Sequence, residues 1–134
     1  DLPVTGLETV AEQLNALASI PENEQVEMLK VSLLYADRTD DMIETLLQLY
    51  TQRRMGAAMP FQKVLARKAG APPTIFDGFQ RILLVDRNAR MAKAADALLA
   101  GGGVFTAVGA LHLPGSTGLV DLLRAQGYTL TAIE

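Results

Sequence analysis

Gly101-Gly102-Gly103-Val104-Phe105-Thr106-Ala107-Val108-Gly109-Ala110-Leu111-His112 holds the change of period on which the fold reading turns. Upstream of it, Met91, Ala95 and Leu98 recur at helical spacing, and three consecutive glycines end that helix. From Val104 to Val108 the pattern is instead a compact apolar run, the kind that lies buried on both faces of a parallel sheet and needs helices above and below it. After a loop from Leu111 to Thr117, Leu119, Leu122 and Leu123 mark a short helix, Gly127 stops it, and Tyr128 to Ile133 alternates as a last strand. The sequence therefore predicts strand, loop, helix and strand, a right-handed crossover unit.

Working back toward the N-terminus, Val4 to Leu7 reads as a short strand followed by a helix through Val10, Leu14 and Leu17. Ser19-Ile20-Pro21-Glu22 matches a capping box that would open a helix carrying Val26, Leu29 and Leu33 on one face. Thr39-Asp40-Asp41 places a cap and two anions ahead of the stripe Ile43, Leu46, Leu47 and Tyr50, with Arg53 and Arg54 at the far end. Gly56 to Pro60 reads as a break, Phe61 to Ala69 as a short helix and Gly70-Ala71-Pro72-Pro73 as a turn. Ile75, Phe79, Ile82 and Leu83 then share a face, and a helix runs from about Asn88 to Leu99. The expectation is an α/β fold, mostly helical, with a small, largely parallel sheet of about three strands. Such a sheet is meagre, so its core strand calls for neighbours from more chain or from a second copy.

The 134 residues suit one domain, and 49% hydrophobic content is enough for an ordinary core. A net charge of -3 offers no basic field for phosphate backbones, so nucleic acid is excluded as a partner class. Without cysteine there is no disulfide, thiol nucleophile or thiolate metal site, and any metal must be held by nitrogen and oxygen. The longest nearly apolar run, Ala97 to Leu111, is shorter than the roughly 18 residues of a membrane span. The chain opens at Asp1-Leu2-Pro3-Val4 without a methionine, as a processed or truncated product would. Gly-x-Gly-x-x-Gly, P-loop, His-Glu-x-x-His and Gly-x-Ser-x-Gly motifs are absent from the sequence.

Ligands of open parallel sheets sit beyond the carboxyl ends of the strands, where loops and helix N-termini converge. Glu8 follows one such end and His112, the single histidine, follows another. If those strands are parallel neighbours about 4.8 Å apart, the two groups share a crevice and can bind a divalent metal or share a proton. Each also has an ordinary reading, Glu8 as an acid at a helix N-terminus and His112 as a hydrogen-bonded loop histidine. Gly109 before His112 and Pro114-Gly115 after it favour a close backbone approach and a sharp exit from the strand. Ser116-Thr117-Gly118 opens the next helix and offers either an anion site or simple capping. In Asp86-Arg87-Asn88, Asn88 reads as a helix N-cap, while Arg87 can clamp a substrate carboxylate or orient Glu8. Met42, Met55, Met59 and Met91 fall within helical stripes and read as packing.

Thr5-Gly6-Leu7-Glu8-Thr9 with Glu12-Gln13, and Ala107-Val108-Gly109-Ala110-Leu111-His112-Leu113-Pro114-Gly115 with Gly118-Leu119 and Gly127-Tyr128, resemble the TraB/GumN family, which also takes in pheromone-shutdown and TIKI proteins. Leu84-Val85-Asp86-Arg87-Asn88 with Met91 resembles that family's Glu-Arg-Asn segment, with Asp86 in the glutamate position. The resemblance implies an α/β fold related to the erythromycin-esterase and ChaN-like superfamily. Some TIKI members are regarded as metal-dependent proteases, and most bacterial GumN-like members as envelope proteins. Carried over, His112 becomes the second Gly-x-x-His histidine and Glu8 its acidic partner, the two being candidate catalytic and metal-ligating groups. Arg87, Asn88, Gly109, Gly115 and Ser116 become site supports. The family's first Gly-x-x-His motif lies upstream and has no counterpart here, so the chain resembles the C-terminal portion of a single TraB/GumN-like domain about twice as long.

Together these readings lead to a metal-dependent, peptidase-like hydrolase of the periplasm or cell envelope. Its metal would be manganese, cobalt or zinc, and its site would be completed by a missing N-terminal half or a second copy. A metal with only one imidazole and one carboxylate from this chain would be weakly held, so the chain by itself would be nearly inactive. The rival expectation is a non-catalytic module that captures a peptide or an anion at the same crevice.

Overall fold

Strands need partners, and the three expected ones have none: among residues 3–133, which the computed structural model describes, no β-strand forms. The expected α/β fold with a three-stranded parallel sheet is thereby corrected to a helical one. Residues 104–108 make no backbone hydrogen bond among the described residues, and Phe105 is 93% exposed. Val108 alone of that run is partly buried. An apolar run specifies burial on two faces only when neighbouring strands supply a hydrogen-bonding ladder. The segments around Val4 and Ile133, both almost fully exposed, do not supply one.

The described helices are α1 (Val10–Ala18), α2 (Glu22–Leu34), α3 (Thr39–Thr51), α4 (Ala58–Lys68), α5 (Asp77–Gln80), α6 (Asp86–Leu99) and α7 (Leu119–Ala125). None of them is long and apolar enough to cross a membrane. The chain forms two compact units, one from Ile20–Arg81 and one from the chain up to Ser19 together with the chain from Ile82 onward.

In the unit Ile20–Arg81, Ala66, Ile75 and Phe76 form the buried cluster, with Met28, Val31, Met59, Ala71 and Phe79 packed against it. Phe76 and Phe79 meet edge to face, their ring centroids 6.2 Å apart, a preferred arrangement of aromatic quadrupoles. The Tyr35 hydroxyl donates to the Leu65 carbonyl at 3.3 Å and so ties α2 to α4. Pro60, read from the sequence as part of a break, lies in the first turn of α4, where its missing N–H costs no helical bond. The stripes Val26, Leu29 and Leu33 on α2 and Ile43, Leu47 and Tyr50 on α3 have helical spacing, but these residues are exposed.

The short helix α5 has no side-chain cap of its own. Its need is met by Glu24 of α2, whose carboxylate accepts from the Phe79 N–H at 3.2 Å. Gly78 makes room for that carboxylate, since a Cβ there would lie 2.6 Å from Glu24 Oε2.

In the other unit, Met91 and Ala92 of α6 and Leu119 of α7 are buried together, with Leu7, Val108 and Leu122 against them. Gly102 and Gly103 adopt left-handed φ values of 70° and 67°, which explains why the triple glycine ends α6. The capping box lies at Thr9 and Glu12 of α1, not at Ser19 and Glu22. Ser19 instead donates its hydroxyl to the Ala16 carbonyl at the end of α1, and α2 starts after Pro21 without a side-chain cap.

Candidate functional site

Helix α6 begins directly after a π-helical turn, Arg81–Val85, so Asp86, Arg87 and Asn88 extend an existing helix. Asn88 is therefore not an N-cap. Successive helical residues point about 100° apart, and this divergence sends Arg87 and Asn88 to different partners.

Arg87 meets Glu8. Its Nε donates to Oε1 and Oε2 at 3.1 and 3.0 Å, and its Nη2 donates to Oε2 at 2.8 Å. Nη1 reaches the Leu83 carbonyl at 3.4 Å. Arg90, three residues further along α6, brings Nη2 within 3.6 Å of Glu8 Oε1. The Glu8 side chain is only 3% exposed, and its oxygens face two guanidinium groups, that of the part-buried Arg87 and that of the exposed Arg90. Thr9 and Glu12 serve the start of α1, which makes Glu12, rather than Glu8, the acid of that first turn.

His112 closes a short 3₁₀ turn, Ala110–His112, with its N–H on the Gly109 carbonyl at 2.9 Å. Its Nδ1 lies 2.6 Å from Asn88 Oδ1, and Asn88 Nδ2 donates to the Thr117 carbonyl at 2.7 Å. Burial lowers the His112 pKa below its ordinary 6.5, Arg87 lowers it further, and Glu8 opposes both by attraction. The ring is consequently neutral at neutral pH.

Glu8 and His112 thus meet α6 through neighbouring residues, Arg87 and Asn88, instead of bonding to each other. Gly115 has a φ of 86°, which its turn requires. Gly109 has an ordinary extended backbone, and a Cβ there would make a normal 3.6 Å contact with His112 Cδ2. Ser116 is exposed and makes no hydrogen bond among the described residues, and α7 has Gly118 as its N-cap, with no side-chain cap. Capping by Ser116 or Thr117 is corrected accordingly.

Sequence reasoning passed over Arg90 and the Thr117 carbonyl, and it named Gly118 only as part of a motif and a helix start. Arg90 had a signal, since its i+3 spacing from Arg87 puts both on one face. The reason for Gly118 had none: a Cβ there would run into the Leu113 and Pro114 backbone, a contact that only coordinates reveal.

The donor set does not make a metal centre by itself. No group of three or more His, Asp or Glu side chains that could hold an ion occurs among the described residues. A cation at Glu8 would also have to displace two guanidinium groups.

Comparison with known proteins finds one family: the model of the TraB/PrgY/gumN family matches residues 1–132. No curated protein and no solved structure matches the chain.

Proposed function

The chain belongs to the TraB/PrgY/gumN family, and on that premise we propose that it carries the proton-accepting histidine of a hydrolase that acts on peptides. The observation that supports this most is the environment of His112: a half-buried ring, kept neutral by burial and by Arg87, and held at Nδ1 by Asn88. A neutral imidazole takes the proton of a water as its oxygen bonds to a peptide carbonyl carbon. The same proton then passes to the leaving amine as the C–N bond breaks. Glu8 holds Arg87 in place, and Arg87 in turn disfavours the protonated ring.

No step of this proposal runs through a metal. One imidazole is a fraction of the three protein ligands usual in a catalytic zinc site, so manganese, cobalt or zinc would need ligands from elsewhere. A second copy of the chain would be one source of further site groups, and a location in the cell envelope rests on the family resemblance alone.

A peptide-library digest with the intact gene product tests the reading. Products should form, disappear on His112→Gln, and persist below pH 6.5 because the lowered pKa keeps the base form populated there. Saturable peptide binding without turnover, or product formation unchanged in His112→Gln, would overturn it.

A further inference from the structure

We infer that Asn88 is a positioning residue that decides which ring nitrogen of His112 bears the proton. Thr117 fixes the amide. Its carbonyl oxygen can only accept, so the group 2.7 Å away on Asn88 must be the NH₂. That choice turns Oδ1, the other end of the amide, toward His112 Nδ1 at 2.6 Å. An amide oxygen at that distance requires a hydrogen on the nitrogen, because two lone pairs facing each other repel. The neutral ring therefore carries its proton on Nδ1 and leaves the lone pair on Nε2, away from Asn88.

Burial makes the arrangement one-sided. Asn88 is 2% exposed, so a flipped amide would set oxygen against the Thr117 carbonyl with no water to relieve it. The loop is fixed as well. Gly118 donates its N–H to the Gly115 carbonyl at 2.8 Å and lies so close to Leu113 and Pro114 that no side chain fits. One buried amide on α6 thereby spans both ends of the loop 112–117 and converts the position of a carbonyl into the identity of the proton acceptor. A purely packing role for Asn88 would require neither polarity.

This inference rests on the proposed role of His112 for its functional meaning, but its test does not. With a single histidine in the chain, a ¹⁵N-histidine sample gives one unambiguous ring spectrum. Long-range ¹H–¹⁵N correlation on the full chain, above the pH at which the ring titrates, should show a protonated Nδ1 and an unprotonated Nε2, with the Nδ1–H form in about tenfold excess or more. Asn88→Leu should release the ring toward the Nε2–H form that an unconstrained histidine side chain prefers. Asn88→Asp keeps an acceptor toward Nδ1 but sets its second oxygen against the Thr117 carbonyl, so it should retain the wild-type tautomer at reduced stability.

A wild-type spectrum with the proton on Nε2 overturns the inference, and so does an unchanged tautomer in folded Asn88→Leu. Should either variant fail to fold, the wild-type spectrum still decides, because it shows directly which ring nitrogen carries the proton. The predicted tautomer combined with no peptide hydrolysis would instead overturn the hydrolase reading and leave the positioning role of Asn88 standing.

Discussion

Glu24 in the unit Ile20–Arg81 and Glu8 in the other unit are both carboxylates that bond far along the chain, to partners 55 and 79 residues away. What they bond to differs. Glu24 accepts one backbone N–H at the start of α5, a neutral donor that water can replace at a half-exposed position. Glu8 is sealed in and faces two guanidinium groups. Removing an acceptor from a neutral donor costs the cap, whereas removing the anion leaves positive charge with no counter-charge in a poorly solvated place. A carboxylate's contribution is therefore set by what its absence strands.

The comparison breaks if the two deletions cost the same. Glu8→Ala should lower stability by about 2–3 kcal/mol, below the full penalty of a buried pair because Arg87 and Arg90 keep some contact with solvent. Glu24→Ala should cost about 1 kcal/mol, the usual loss for a helix cap. Urea midpoints at constant m-value measure both. Adding Arg87→Met to Glu8→Ala should recover part of the loss, since the stranded charge is then gone.

A second contrast concerns glycines. At Gly118 the atoms in the way of a Cβ are backbone carbonyl groups of Leu113 and Pro114, which a side-chain rotation cannot move. Gly118→Ala should cost about 2 kcal/mol by overpacking, and the displaced loop should broaden or shift the His112 ring signals.

Helix positions were legible in the sequence because they depend on neighbours three and four residues away: the stripes of α1, α2, α3 and α6 all coincide with helices. The strands were not legible, because Val104–Val108 carries the composition of a buried strand but no information about whether a ladder awaits it. The same limit shaped the site. Asp86-Arg87-Asn88 has the residue types of a helix start, and only the preceding π-helical turn turns Asn88 from a cap into a side chain free to reach Thr117 and His112. His112 stood out by being alone. Asn88 was named as a cap and as a site support, but its pairing was not legible, since an asparagine inside a helix gives no sign of which carbonyl it will find 29 residues away.

The smallest expected effect is the one that sharpens the contrast most. At Gly78 the obstacle to a Cβ is the end of the Glu24 side chain, which can swing away. Gly78→Ala then gains about 0.5–1 kcal/mol of helix propensity and loses a cap of about 1 kcal/mol, so the net change should lie within about half a kcal/mol of zero. In a Glu24→Ala background only the gain remains, and the same substitution should stabilise. Non-additivity in that double-mutant cycle reports the cap directly. Additive effects would mean that Gly78 is not making room for the Glu24 carboxylate, and the two carboxylates would then differ less in kind than their surroundings indicate.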